Sequence, residues 1–108
     1  MTKVTFRKKG KELVSFKING HTGYDDIDKD IVCSAISALS CGIGDGIIEI
    51  LKISPECHMK DGFLSMSFEK VPVKELESAQ PLLSTLLLGL KNIELKYNDY
   101  IKVKVEEV

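Results

Sequence analysis

The pattern of hydrophobic and polar positions predicts two β-hairpins, two helices and a final strand. Apolar and polar residues alternate in five short segments, as in strands with one buried face. Lys9-Gly10 and Asp61-Gly62 supply turns between neighbouring segments, and Asp-Gly is a strong hairpin signal. The predicted strands cover residues 2–8, 12–18, 55–60, 63–70 and 101–106.

Helical periodicity marks two longer segments. In the first, Asp30 is the predicted N-cap, and an apolar stripe continues to about residue 52, which favours one long helix. Gly42 and Gly46 fall inside this stripe, where the missing side chain would let another backbone approach. The second helix is expected to start near Ser78, because Pro81 is best tolerated in a first turn.

These elements follow the order ββαββα, then a C-terminal strand. That order predicts an α+β fold, a two-layer sandwich in which a largely antiparallel sheet carries two helices packed on one face. A chain of 108 residues fits one domain, residues 1–108. The leucines between Leu86 and Leu90 outnumber those that one buried stripe requires. They fit core packing and contact between subunits equally well.

Charge and cysteine content limit the classes of partner. Fifteen basic and sixteen acidic residues give a net charge of −1, so we expect no direct binding to nucleic acid or membrane, and an RNA partner would need local contacts. No apolar run is expected to approach the ~18 residues of a membrane-spanning helix. Cys33 and Cys41 would lie about 12 Å apart on one helix, too far for a disulfide. A cytoplasmic protein with reduced thiols is the expectation.

The segment from Gly20 to Cys33 holds the candidate chemistry. His21 lies in a glycine-flanked loop, and Cys33 falls in the first turn of the predicted helix, away from the apolar stripe. A helix N-terminus and a nearby imidazole both favour a thiolate, which is the nucleophilic form of cysteine. The loop is long enough for His21 to fold back over the helix start. Asp30 would cap the helix, orient His21, or do both.

Other roles for the aspartates, cysteines and histidines are less favoured. Asp25 and Asp26 are alternative groups to orient His21, although a solvated loop is the favoured explanation for them. A metal site built from His21, Cys33, Cys57 and His58 is disfavoured, because neighbouring strand residues point to opposite faces, so neither metal nor cofactor is expected. Cys41 and Cys57 are predicted to be small buried residues, and His58 to lie on the surface.

The run Gly20-His21-x-Gly23-Tyr24, followed by Asp30-Ile31-Val32-Cys33-Ser34-Ala35 and Ser37-Ala38-Leu39, resembles the signature of the bacterial ribosomal-processing cysteine protease family Prp. Thr22 and Asp28 stand where that family usually has a small residue and glycine. The resemblance implies a homodimeric Cys/His endopeptidase that removes the N-terminal extension of ribosomal protein bL27.

In that comparison Cys33 corresponds to the nucleophile, His21 to the general base, and Asp30 to an assisting acid or a helix cap. Gly20, Thr22, Gly23 and Tyr24 would belong to the substrate-binding loop. Residues 20–29 are expected to act as a lid that orders on the substrate. The alternatives are a non-catalytic ribosome-associated binding module and a different thiol hydrolase.

Overall fold

Five strands form one mixed sheet in a computed structural model that describes residues 1–20 and 27–108, with the backbone alone at 27–30. The order across the sheet is β3-β4-β2-β1-β5. Neighbours pair antiparallel, except that β1 and β5 run parallel. The predicted α+β architecture with a largely antiparallel sheet is confirmed. The strands are β1 (Thr2–Lys9), β2 (Glu12–Asn19), β3 (Glu56–Lys60), β4 (Phe63–Ser67) and β5 (Ile101–Glu107).

The core lies between one face of this sheet and the two helices. Inward side chains alternate along the strands, and the rings of Phe6 and Phe16 stack with their centroids 5.6 Å apart. Burial of such apolar side chains is the main stabilising term for a fold of this size. The largest fully buried side chains are Phe6, Phe16, Phe68, Ile47, Ile53, Leu83, Leu86, Leu90, Ile101, Val4 and Val32.

The first helix, α1 (Ile27–Asp45), continues directly into a π-helical turn over Gly46–Ile50. The long helix is therefore confirmed, but its predicted start is wrong, because Asp30 lies inside α1 rather than at its N-cap. Residues 27–29 contain neither proline nor glycine, so nothing stops the helix from extending by most of a turn. Aspartates near a helix N-terminus also interact favourably with the helix dipole.

The buried side of α1 differs from the predicted stripe. Val32, Ile36 and Ile47 are buried as predicted, whereas Ile31 and Ile50 are exposed. A Cβ at Gly42 would meet nothing within 4 Å, so its predicted close contact with another backbone is wrong. The close approach occurs instead at Gly44 and Gly89. A Cβ there would lie 2.9 Å from Met66 Cε of β4 and 2.6 Å from Leu39 Cδ2 of α1, respectively.

The second helix, α2 (Val73–Lys96), begins five residues before the predicted start at Ser78. Pro81 therefore lies inside the helix. The carbonyl of Glu77 loses its partner there, and both Glu77 and Pro81 are on the exposed side, where water can satisfy that group. Pro72, directly before Val73, is the N-cap residue, and its side chain makes no capping hydrogen bond.

The stretch Ile31–Ile50 is long and apolar enough to cross a membrane, with a mean hydropathy of 1.8. The prediction that the chain lacks an apolar run of this length is therefore wrong. In the fold, this stretch packs against the sheet and α2, and 33% of it is buried. Core helices of water-soluble proteins can have the same length and composition.

Candidate active site

Cys33 lies in the wall of a cleft at one end of the sheet. The cleft has a volume of about 260 Å³ and is open on one side. One wall is the N-terminal half of α1, and the other is the turn of the β3–β4 hairpin, with the ends of β1 and β2 between them. The lining residues are Thr2, Ile18, Gly20, Cys33, Ile36, Ser37, Ser40, Cys41, Met59, Lys60, Asp61, Gly62, Phe63 and Leu64.

The thiol of Cys33 is held against the fold rather than displayed on the surface. The residue is 8% exposed, although the helical wheel placed it away from the core. Because α1 begins at Ile27, Cys33 occupies the second turn instead of the first. Its N–H is therefore not among the first four of the helix, the ones that lack an intrahelical partner. The predicted place of Cys33 in the first turn of the helix is therefore wrong.

Gly20 and Gly62 pack closely together and hold the backbone directly before His21 in place. The N–H of Gly20 donates to the carbonyl oxygen of Gly62 at 2.9 Å. A Cβ at Gly20 would lie 2.5 Å from Thr2 Cα, and one at Gly62 would lie 2.7 Å from the Gly20 carbonyl oxygen. Gly62 also has a φ of 74°, which favours glycine. Side chains are thus excluded where β1, β2 and the β3–β4 turn meet at the cleft.

Ser40 places a buried polar group beside the cleft. The residue is 2% exposed, and its hydroxyl has no hydrogen-bond partner within the described part of the chain. A buried hydroxyl without a partner costs about 1–3 kcal/mol relative to a satisfied one. Ser40 is therefore a destabilising choice for packing alone.

The predicted site residues divide into three groups. Gly20 and Cys33 line the same cleft. Asp30 lies on α1 three residues before Cys33, at a position where the backbone alone is described. His21, Thr22, Gly23 and Tyr24 lie outside the described residues, as do Asp25 and Asp26. Of the predicted loop 20–29, residues 27–29 are helical.

The remaining cysteines and the second histidine differ in their surroundings. Cys41 and Cys57 are both exposed, so their predicted burial is wrong. Partial burial nevertheless raises the pKa of the Cys57 thiol, which lowers its thiolate fraction near neutral pH. His58 is on the surface as predicted, with Nε2 3.2 Å from Glu56 Oε2. Neither Cys57 nor His58 lines the cleft that contains Cys33.

Sequence reasoning missed most of the cleft wall. The same face of α1 as Cys33 carries Ser37, Ser40 and Cys41, which lie four, seven and eight residues further along the chain. This helical spacing could have identified them as neighbours of Cys33 in the site. The Asp61-Gly62 turn was found, but its place opposite α1 depends on the pairing of β4 with β2. No local pattern reports that pairing.

Comparison with known proteins gives a consistent match over the chain. A family model described as "Cysteine protease Prp" matches residues 1–102. The ribosomal processing cysteine protease Prp of Bacillus subtilis is 25% identical over 107 residues, covering 95% of this chain and 96% of that protein. Its Staphylococcus aureus counterpart is 28% identical over 100 residues, covering 93% and 92%.

Solved structures also resemble this chain over nearly its whole length. The crystal structure of SMU.848 from Streptococcus mutans has a TM-score of 0.87 and 25% identity, covering all of this chain and 96% of that one. Prp from Staphylococcus aureus with a covalently linked product peptide has a TM-score of 0.82 and 26% identity, covering 98% and 100%.

A family model of cysteine proteases that matches residues 1–102, on an α+β sandwich, defines this chain as a cysteine protease. The chain belongs to the Prp family of cysteine proteases. A purely non-catalytic binding role is thereby set aside.

Proposed function

We propose that this protein is a ribosomal-processing endopeptidase that uses Cys33 as nucleophile and His21 as general base. The observation that carries the assignment is the place of Cys33 in the wall of the cleft. Cys41 lines the same cleft but is eight residues further along α1, about 12 Å away from Cys33. Gly20, next to His21 in the chain, also lines this cleft, so the segment that carries His21 starts at the site.

The proposed reaction has two stages. The sulfur of Cys33 attacks the carbonyl carbon of the scissile peptide bond, while His21 takes the thiol proton and delivers it to the leaving amine. The C–N bond breaks and leaves a thioester on Cys33. Water, deprotonated by His21, then attacks the thioester carbonyl and releases the acid, and the proton returns to the thiolate.

Asp30 is proposed to assist His21, because Asp30 lies inside α1 and is therefore not the N-cap of the helix. Asp30→Asn keeps the size of the side chain but removes the charge that would favour the imidazolium. If Asp30 assists, this variant loses turnover by orders of magnitude while its thermal midpoint stays near that of the parent. Parental turnover would show that Asp30 has no part in catalysis.

The proposed substrate is the precursor of ribosomal protein bL27, cleaved after its N-terminal extension. Support comes from the relatives named ribosomal processing cysteine proteases and from the Staphylococcus aureus Prp crystallised with a covalently linked product peptide. Such processing is an intracellular task, so a cytoplasmic location is part of the proposal. Other thiol hydrolases would act on small esters or amides instead.

A homodimer is the proposed assembly. Leu86 and Leu90 are fully buried in the core, which accounts for part of the leucine-rich run by ordinary packing. Leu88 is 62% exposed and Leu95 is 83% exposed, whereas Ile31 on α1 is 51% exposed. Exposed aliphatic side chains on the two helices are suited to contact between subunits. Sedimentation of the parent and of Leu88→Glu tests this, with a monomeric variant expected.

The substrate assignment is tested with a panel of N-terminally extended ribosomal protein precursors. Each precursor is incubated with the protein, and intact masses are measured over time. The proposal predicts that the bL27 precursor is shortened at one site and that the other precursors stay intact. Cleavage of a different precursor, or of none, would contradict it.

A further inference from the structure

The face of the sheet that points away from the helices is much more basic than the chain as a whole. The strand pairings align its side chains in three rows that cross all five strands. In order across the sheet, the rows are Lys60-Phe63-Asn19-Lys3-Lys102, His58-Ser65-Lys17-Thr5-Lys104 and Glu56-Ser67-Ser15-Arg7-Glu106. The first two rows hold five lysines and no carboxylate, although the net charge of the chain is −1.

Most of this positive charge is uncompensated. All five lysines are exposed. Lys104 pairs with Glu106 at 3.2 Å, and Arg7 in the third row lies 4.0 Å from Glu69. The other four lysines form no ion pair with a described residue. We call the exposed surface formed by Lys3, Lys17, Lys60, Lys102 and Lys104 the basic face.

We propose that the basic face binds RNA through its phosphate backbone. The first two rows are two residues apart along each strand, about 6.6–6.8 Å, and adjacent strands are about 4.8 Å apart, so a polyanion can meet several ammonium groups at once. Phe63 stands in the first row, with Lys60 Nζ 5.6 Å from its ring centroid. Lys60 and Phe63 also line the cleft, so this edge of the basic face adjoins the candidate active site. A cationic sheet is suited to single-stranded RNA, whose flexible backbone can follow a row of lysines.

Other occupants fit this face less well. A second copy of the chain would bring lysines against lysines, which is unfavourable at an isologous interface. A membrane would gain electrostatic attraction alone, since the first two rows contain no exposed aliphatic side chain to enter the lipid. The sequence predicted no binding to nucleic acid because the net charge of the chain is −1. Net charge does not reveal a local excess of positive charge on one face.

The test is fluorescence anisotropy of a labelled oligouridylate with the full-length protein. If four lysines each neutralise a phosphate, affinity falls about 50-fold between 50 and 200 mM salt. The key variant combines Lys3→Gln, Lys17→Gln and Lys102→Gln. A matched control changes three exposed lysines elsewhere by the same net charge, combining Lys70→Gln, Lys74→Gln and Lys91→Gln.

The proposal predicts that the basic-face variant loses at least tenfold in affinity at 50 mM salt and keeps about a two- to threefold salt effect. The control stays within twofold of the parent. Equal losses in both variants, or binding by the parent that is insensitive to salt, would overturn the proposal. So would tighter binding to phosphatidylserine vesicles than to RNA, which would assign the face to a membrane.

The basic face can be tested apart from the peptidase. Lys3, Lys17 and Lys102 lie outside the cleft, so the basic-face variant is expected to cleave a short precursor peptide at the parental rate. Thermal melting checks that the variant is folded. Absence of peptidase activity in the parent would refute the proposed function and leave RNA binding measurable.

Discussion

Gly20→Ala is expected to impair catalysis while leaving most of the protein folded. The added Cβ would lie 2.5 Å from Thr2 Cα, where ordinary contact begins at about 3.4 Å. Thr2 Cα belongs to the backbone, so no side-chain rotation relieves the overlap. The two segments must separate by roughly 1 Å, and the shift passes to His21, the next residue in the chain.

A displacement of this size in a catalytic group costs about 100-fold in rate. We therefore expect kcat/KM for a precursor peptide to fall by about that factor. The hydrogen bond from Gly20 to Gly62 would also be strained, and its loss costs about 1 kcal/mol of stability. Peptide cleavage is measured at a temperature where both proteins are folded, and thermal melting supplies that temperature.

Gly42→Ala is the matched control. A Cβ there meets nothing within 4 Å, and alanine in a helix is about 1 kcal/mol more favourable than glycine, so this variant should be more stable and equally active. If Gly20→Ala retains kcat/KM within twofold of the parent, the packing of Gly20 against Thr2 does not position His21. Loss of activity in proportion to unfolded protein would also refute the reasoning.

The remaining predictions concern stability. The Gln80 side chain accepts a hydrogen bond from the Leu13 N–H and donates one to the Leu13 carbonyl, both at 2.8 Å. Gln80→Ala should therefore lower the free energy of unfolding, measured by urea titration, by about 2 kcal/mol. The control variant Glu77→Ala, at an exposed position, should change it by less than about 0.5 kcal/mol. Equal urea midpoints for Gln80→Ala and Glu77→Ala would refute this prediction. Ser40→Ala removes a buried hydroxyl that has no hydrogen-bond partner among the described residues, so it should raise the free energy of unfolding by about 1 kcal/mol. The control variant Ser37→Ala, at an exposed position, should raise it by less. If Ser40→Ala raises it no more than Ser37→Ala, the Ser40 hydroxyl has a hydrogen-bond partner.

Strand alternation proved a reliable signal, while helix positions depended on contacts that the sequence does not display. The alternation around Val4, Phe6 and Phe16 identified buried strand faces correctly, because period-two burial is a local property. The apolar stripe of α1 placed Cys33 away from the core. It is nevertheless buried, because this side of α1 faces the ends of β1 and β2 and the turn of the β3–β4 hairpin across the cleft.

The sequence was sufficient to propose the chemistry of the candidate site, but not to predict the shape of its cleft. His21 and Cys33 could be proposed from the motif, since their residue types and order carry the family signature. The opposite wall, from Met59 to Leu64, reaches the cleft because β4 pairs with β2 across more than forty residues of chain. The basic face arises in the same way, since strand pairing brings together lysines that are dispersed in the sequence.

The most direct test of the central claim compares turnover of the bL27 precursor by Cys33→Ala, His21→Ala and Cys41→Ala. Cys41 is the matched control, because it is a second thiol on the same helix and in the same cleft. The account predicts no measurable cleavage by the first two variants and near-parental cleavage by Cys41→Ala, with all three melting as cooperatively as the parent. Near-parental turnover by Cys33→Ala, or its loss in Cys41→Ala alone, would contradict the account.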